Sequence, residues 1–167
     1  MSAQDLTGAS PNGSAPRVVE VAEDLTGRYT QTARVGPHTL TLDEPVALGG
    51  GDLGPGPYDL LLMGLGACTA MTLRMYAERK GLPLHRVRVR LTHRRIHVAD
   101  CADCESLEGQ IAEISRDIEL EGPLTPEERA RLIEIANRCP VHRTLTSEIK
   151  IRTREVVFAA PAAPATP

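Results

Sequence analysis

The chain has 167 residues, a net charge of −3 and a pI near 6.0, enough for one domain and without an electrostatic case for nucleic acid or an anionic membrane. Only 2% of its residues are aromatic, three tyrosines and one phenylalanine, which argues against stacking on bases or sugars. The core must come from Leu, Ile, Val, Met and Ala, and a core of that kind often gains burial by pairing with a second subunit.

Met1-Ser2-Ala3-Gln4-Asp5-Leu6 has neither the basic start nor the apolar run of a secretion signal. A cytoplasmic protein is therefore expected, where standing disulfides are uncommon and transient ones are catalytic. Residues 1–15, rich in Gly, Ser, Asn and Pro, and the Ala/Pro run of 158–167 are expected to be disordered tails around a single domain of 16–157. Arg17–Ala22 and Gly27–Val35 read as strands, and Gly36-Pro37 turns into a third, His38–Leu42.

A long helix should follow, started by Pro57 at its first position and ended by Gly81. Leu60, Leu61, Gly64, Ala67, Cys68, Met71 and Met75 recur at three- and four-residue steps, which places Cys68 on the buried side. Its uncharged run, 60–73, is shorter than the ~20 residues of a membrane span. Gly64 and Gly66 cost helix stability, about 1 kcal/mol each against alanine, and allow close backbone approach or a kink before the cysteine.

The strands at 85–97 and 109–121 carry a legible pattern. Arg86, Arg88, Arg90 and Arg94 share one face of the first, with Val87, Val89 and Leu91 opposite. Glu113, Asp117, Glu119 and Glu121 share one face of the second, with Ile114, Ile118 and Leu120 opposite. Antiparallel pairing with position numbers summing to 207 aligns Arg86–Glu121, Arg88–Glu119, Arg90–Asp117 and Arg94–Glu113. Each cross-strand pair contributes roughly 0.2–1 kcal/mol, and a slip of one residue would set charge against apolar side chains throughout. The arginine stripe thus reads as a solvated sheet face. A second helix is announced by Thr125, Pro126 and Glu128, the residues of a capping box. It should run to about Arg138, with Cys139-Pro140 opening a separate short helix and Glu148–Val157 forming a last strand.

Cys68 and Cys139, 71 positions apart in apolar helical sequence, read either as a working thiol pair or as two small core residues. The segments Gly56-Pro57-Tyr58-Asp59-Leu60-Leu61-Leu62-Met63-Gly64-Leu65-Gly66-Ala67-Cys68-Thr69 and Asn137-Arg138-Cys139-Pro140-Val141-His142-Arg143-Thr144-Leu145 resemble the two cysteine motifs of the osmotically inducible protein C and organic hydroperoxide resistance (OsmC/Ohr) superfamily. The resemblance covers about residues 17–155. It implies an α+β fold in which antiparallel sheets wrap a long central cysteine-bearing helix, in an intertwined homodimer with active sites at the interface. It implies further a thiol-dependent hydroperoxide reductase, served by a thiol or dithiol reductant. Cys68 then matches the peroxidatic cysteine, which becomes a sulfenic acid, and Cys139 the resolving one that closes a disulfide.

Many members carry a glutamate ten residues before the peroxidatic cysteine, holding an arginine over the thiolate. Here Tyr58 stands at that position with Asp59 beside it, about 100° away around a helix. The arginine candidate is Arg28, with Arg34 second. His142 and Arg143 offer a base or a cation near Cys139.

The connection holding His93, His97, Cys101 and Cys104 invites a zinc reading. Residues four apart on a strand lie about 13 Å apart, so both histidines reach one metal only if the strand breaks. No cofactor is expected; Cys101, Cys104, His97 and a fourth group form the zinc alternative, beside an auxiliary redox pair or a plain loop. The competing function class is a non-catalytic dimeric protein that binds a small ligand or zinc in the same fold.

Overall fold

The structure, a computed structural model, describes residues 17–102 and 108–156. Both expected tails, Val157 and Cys104 lie outside the described residues. The first sheet is antiparallel: β1 (Glu20–Glu23), β2 (Gln31–Val35) and β3 (His38–Leu42), in that order. β1 and β2 are shorter than the patterns predict. The intervening stretch instead turns on Asp24, whose carboxylate accepts the Thr26 N–H at 2.9 Å, and on Leu25, whose φ is 61°.

α1 spans Pro57–Lys80, 24 residues, with the bounds that Pro57 and Gly81 predict. Asp59 accepts the Gly56 N–H at 2.9 Å at its start. Gly81, at φ 66°, closes its end in the left-handed conformation glycine adopts without strain. By length and composition α1 would also cross a membrane; here Leu65, Leu73 and Ala77 on one side are buried in the core.

β4 (Arg86–His97) and β5 (Gln110–Glu121) form a two-stranded antiparallel sheet whose partners sum to 207 along the whole ladder, from Arg86 opposite Glu121 to His97 opposite Gln110. Arg88 is exposed, as the stripe requires. Two of the four expected ion pairs form: Arg88–Glu119 at 2.6 Å and Arg94–Glu113. Arg88 also reaches Glu121 diagonally at 3.7 Å, while Arg90 and Asp117, paired in register, make no ion pair among the described residues. Flexible side chains in water choose between neighbouring carboxylates at little cost.

α2 (Pro126–Ala136) begins with the predicted capping box: Thr125 Oγ1 accepts the Glu128 N–H at 3.2 Å, and Glu128 accepts the Thr125 N–H at 2.8 Å. Arg129 donates to the Leu120 and Gly122 carbonyls and so ties α2 to the end of β5. α3 (Pro140–Leu145) follows, with Cys139 as its N-cap. Leu73, Ala77, Leu84, Leu124, Leu132, Ile135 and Ala136 make the core between α1, α2 and the β4–β5 sheet.

Two expectations are corrected. Residues 148–156 form no strand and stand exposed; they join neither sheet, and an alternating pattern makes a strand only where it pairs. The stripe through Leu61, Gly64, Ala67, Met71 and Met75 is not the buried side of α1. Met71 is 65% and Met75 52% exposed, whereas Leu65, Gly66, Thr69, Thr72, Leu73 and Ala77 are buried. A helix uncharged from 60 to 73 is apolar nearly all round, so periodicity alone cannot choose which flank meets the sheet. Gly66 sets that choice locally. A Cβ there would come within 2.9 Å of Leu91 Cδ1, while one at Gly64 would meet nothing within 4 Å.

Candidate active site

α1 and the α2–α3 junction bring together the two cysteines that the sequence separates. Proline at 140 disfavours helical backbone at Cys139. Cys139 therefore adopts φ −63°, ψ 142° and ends one helix while capping the next. Its sulfur accepts the backbone N–H of His142 at 3.3 Å and lies 3.7 Å from the Thr69 hydroxyl. Cys139 is fully buried and Cys68 half-buried; both are free thiols.

Cys68 and Cys139 are neighbours, close enough for the Cys139 sulfur to act on the ionisation of the Cys68 thiol. Burial pushes the Cys68 thiol above its ordinary value, and a negative Cys139 would push it further; the Val141 backbone and the Thr72 hydroxyl pull the other way without reversing the shift. No cation acts on Cys68 from within the described residues. One thiol is thus reachable and the other sealed behind it, an order that suits attack at Cys68 and closure by Cys139.

Arg28 is exposed in the turn before β2, its guanidinium 5.1 Å from the centre of the Tyr29 ring. It is not brought to Cys68 within one chain. Asp59 is committed to capping α1, and Tyr58 stacks on His93 with centroids 4.5 Å apart, so neither reaches the thiols. The His142 imidazole is held below its ordinary value by burial first and by the positive charge of Arg116 second; it is its backbone N–H, not its ring, that contacts Cys139. Arg143 is exposed.

β4 continues unbroken through His97, whose Nδ1 accepts the Ala99 N–H at 3.3 Å. Cys101 is disulfide-bonded, a state that removes it as a metal ligand. No metal-holding cluster occurs among the described residues.

Sequence reasoning missed Arg116. It lies on β5 opposite Leu91, among Ile114, Ile118 and Leu120, and is the one charge on the apolar face of that strand. Its Nη1 donates to Thr69 Oγ1 at 3.0 Å and to the Ala136 carbonyl at 3.3 Å; Nη2 donates to Asn137 Oδ1 at 2.8 Å. The break in alternation at 116 was the available signal. An open groove of about 500 Å³ runs between α1 and β4, lined by Asp59, Leu62, Met63, Gly66, Ala67, Val89 and Leu91. It lies on the opposite flank of α1 from Cys68, since Gly66 and Cys68 are about 200° apart around the helix.

A family model described as OsmC-like protein matches residues 49–154, more than half of the chain. Among solved structures, an OsmC-like protein from Mycoplasma pneumoniae aligns with a TM-score of 0.61 at 24% identity, covering 79% of this chain and 88% of that one. An organic hydroperoxide resistance protein from Elizabethkingia anophelis aligns with a TM-score of 0.60 at 18% identity, covering 83% and 94%. One from Legionella pneumophila aligns at 0.58 and 20% identity, covering 78% and 88%. These likenesses share the fold described above. No curated protein matches the chain.

Proposed function

Since the chain belongs to the OsmC-like protein family, we propose that it reduces organic hydroperoxides, with hydrogen peroxide as a second candidate substrate, at the expense of thiols. The observation that carries this reading is that a half-buried Cys68 and a fully buried Cys139, both free, are brought together as neighbours that act on each other's charge. The Cys68 thiolate attacks the peroxide oxygen, the alcohol leaves, and the sulfur becomes a sulfenic acid. Cys139 then displaces the hydroxyl to close a disulfide, which an external thiol or dithiol reopens.

Cys68 needs a cation to become a thiolate near neutral pH, and none among the described residues of its own chain acts on it. We assign that role to Arg28 of a second copy. Such a copy would cover the exposed stripe of Leu61, Met71 and Met75 that flanks Cys68 and complete the site at the interface. Burial of apolar area is the driving force for that pairing.

Mass spectrometry after one equivalent of cumene hydroperoxide tests the reading. A Cys68–Cys139 disulfide is expected, with turnover abolished in Cys68→Ser and lowered roughly tenfold or more in Arg28→Ala, the scale of a lost electrostatic stabiliser. A thiol left reduced at Cys68 rejects the peroxidase. Unchanged turnover in Arg28→Ala rejects that residue alone. The raised Cys68 thiol favours a second reading, a non-catalytic dimeric binding protein; a ligand that co-purifies while peroxide is consumed no faster than by free cysteine would establish it.

A further inference from the structure

Arg116 is half-buried on the inner face of the sheet, and among the described residues no carboxylate pairs with it. Removing a charge from water without an ionic partner costs stability, so the arrangement calls for another use. All its hydrogen bonds converge on one place: Thr69 on α1, and Ala136 and Asn137, the residues that lead into Cys139.

The Thr69 hydroxyl has one proton and two lone pairs, and all three have a partner. It donates to the Leu65 carbonyl at 2.8 Å. It accepts from Arg116 at 3.0 Å. The remaining lone pair faces Cys139 Sγ at 3.7 Å and takes its S–H. The Cys139 proton is thereby turned toward Thr69, which leaves a sulfur lone pair for Cys68.

We infer that Arg116 is a positioning residue for Cys139, acting through the Thr69 hydroxyl to orient the buried thiol and to stabilise the thiolate that attacks the Cys68 sulfenic acid. This rests on the peroxidase reading for its physiological setting. In the closing step the S–O bond of the Cys68 sulfenic acid breaks and the S–S bond forms. The Cys139 sulfur is oxidised by one unit, the Cys68 sulfur is reduced by one, and the Cys139 proton leaves with the Cys68 hydroxyl as water. When Cys139 gives up its proton ahead of the attack, the Thr69 proton swings from the Leu65 carbonyl to the thiolate, while Arg116, charged at every working pH, stays on Oγ1 and polarises the hydroxyl.

The test compares the full chain with Arg116→Met, Arg116→Lys and Thr69→Val, the last preserving side-chain volume and leaving the bonds of Arg116 to Ala136 and Asn137 in place. Two oxidants are used, cumene hydroperoxide and diamide; diamide joins two thiols, itself becoming a hydrazine, without peroxide chemistry. Dimedone traps the Cys68 sulfenic acid, and quenched-flow mass spectrometry reads disulfide closure. Closure relative to Cys68 oxidation should fall roughly tenfold or more in Arg116→Met and Thr69→Val, as expected for a lost charge-assisted bond, with the dimedone adduct accumulating. Arg116→Lys should recover part of it.

If closure is unchanged in Thr69→Val the inference is overturned, even where Arg116→Met fails to fold. It is equally overturned if Arg116→Lys, folded, gives no recovery over Arg116→Met. If peroxide leaves Cys68 untouched but diamide closure slows in the variants, the positioning role stands and the hydroperoxide reading falls.

Discussion

The β4–β5 hairpin and α1 are both rich in apolar residues, yet only the hairpin declares which of its faces is which. Its strands set Arg86, Arg88 and Arg90 against Val87, Val89 and Leu91, so a slip of one residue sets charge against apolar side chains, and the observed ladder avoids this. α1 carries no charge between Leu60 and Leu73. Its buried flank is decided from outside, by Gly66 against Leu91 and by α2, and the flank with Met71 and Met75 is left exposed. A periodic pattern locates an element; contrast between its faces is what orients it.

The largest effect should come from breaking that contrast on the helix. Met71→Glu places a charge on the exposed stripe, which a folded monomer tolerates and a dimer sealed over the stripe does not. Burying an unpaired carboxylate should weaken self-association about 100-fold or more, on the order of 3 kcal/mol, read by sedimentation across a concentration series. Unchanged self-association would show that a second copy, if it docks, does so on another face.

A much smaller effect belongs to the hairpin. Arg88, paired with Glu119 and Glu121, should cost about 0.2–1 kcal/mol when replaced by alanine, whereas Arg90→Ala, which breaks no ion pair, should be near neutral. Urea unfolding of both variants at low and at 0.5 M salt separates the two; salt should erase the difference. Equal costs at both salts would mean the stripe stabilises by packing its stems, not by charge.

Much of the fold was legible because punctuation is local. Pro57 and Gly81 bound α1 as predicted, Thr125-Pro126-Glu128 start α2, and Pro140 breaks the chain at Cys139. What failed was non-local. The 148–156 segment has a strand pattern but joins neither sheet, and strands are stable only as pairs. The buried side of α1 depends on elements 20 to 70 residues away. In the site, the two cysteines were visible as motifs, but Thr69 and Arg116 were not, because their meaning arises only when β5 is laid against α1. Arg116 was the anomaly within the clearest pattern in the chain, a cation in the apolar row of Ile114, Ile118 and Leu120, and such exceptions mark function more often than the pattern does.

The smallest prediction concerns the junction where hairpin and helices meet. His142 is held below its ordinary value of 6.5, by burial first and by Arg116 second. A base with a depressed folded pKa favours its neutral form. Its contribution to stability is present above about pH 6.5 and is lost as the pH falls through the folded value. The melting temperature should therefore decline between pH 7 and 5.5, and His142→Gln should flatten that decline. The carboxylates of Asp43 and Glu127 also lie below their ordinary values, 3.8 and 4.5, but they act on stability only at lower pH and cannot imitate the effect in this window. For Asp43, burial raises the value, and three backbone N–H donors, from Glu44, Gly51 and Leu53, together outweigh it and bring it down. Arg116→Met should flatten the decline only in part, because burial of the imidazole remains after the cation is gone. A decline that persists in full in His142→Gln would place the titrating group elsewhere, and would remove His142 as the sensor of positive charge beside the buried thiol.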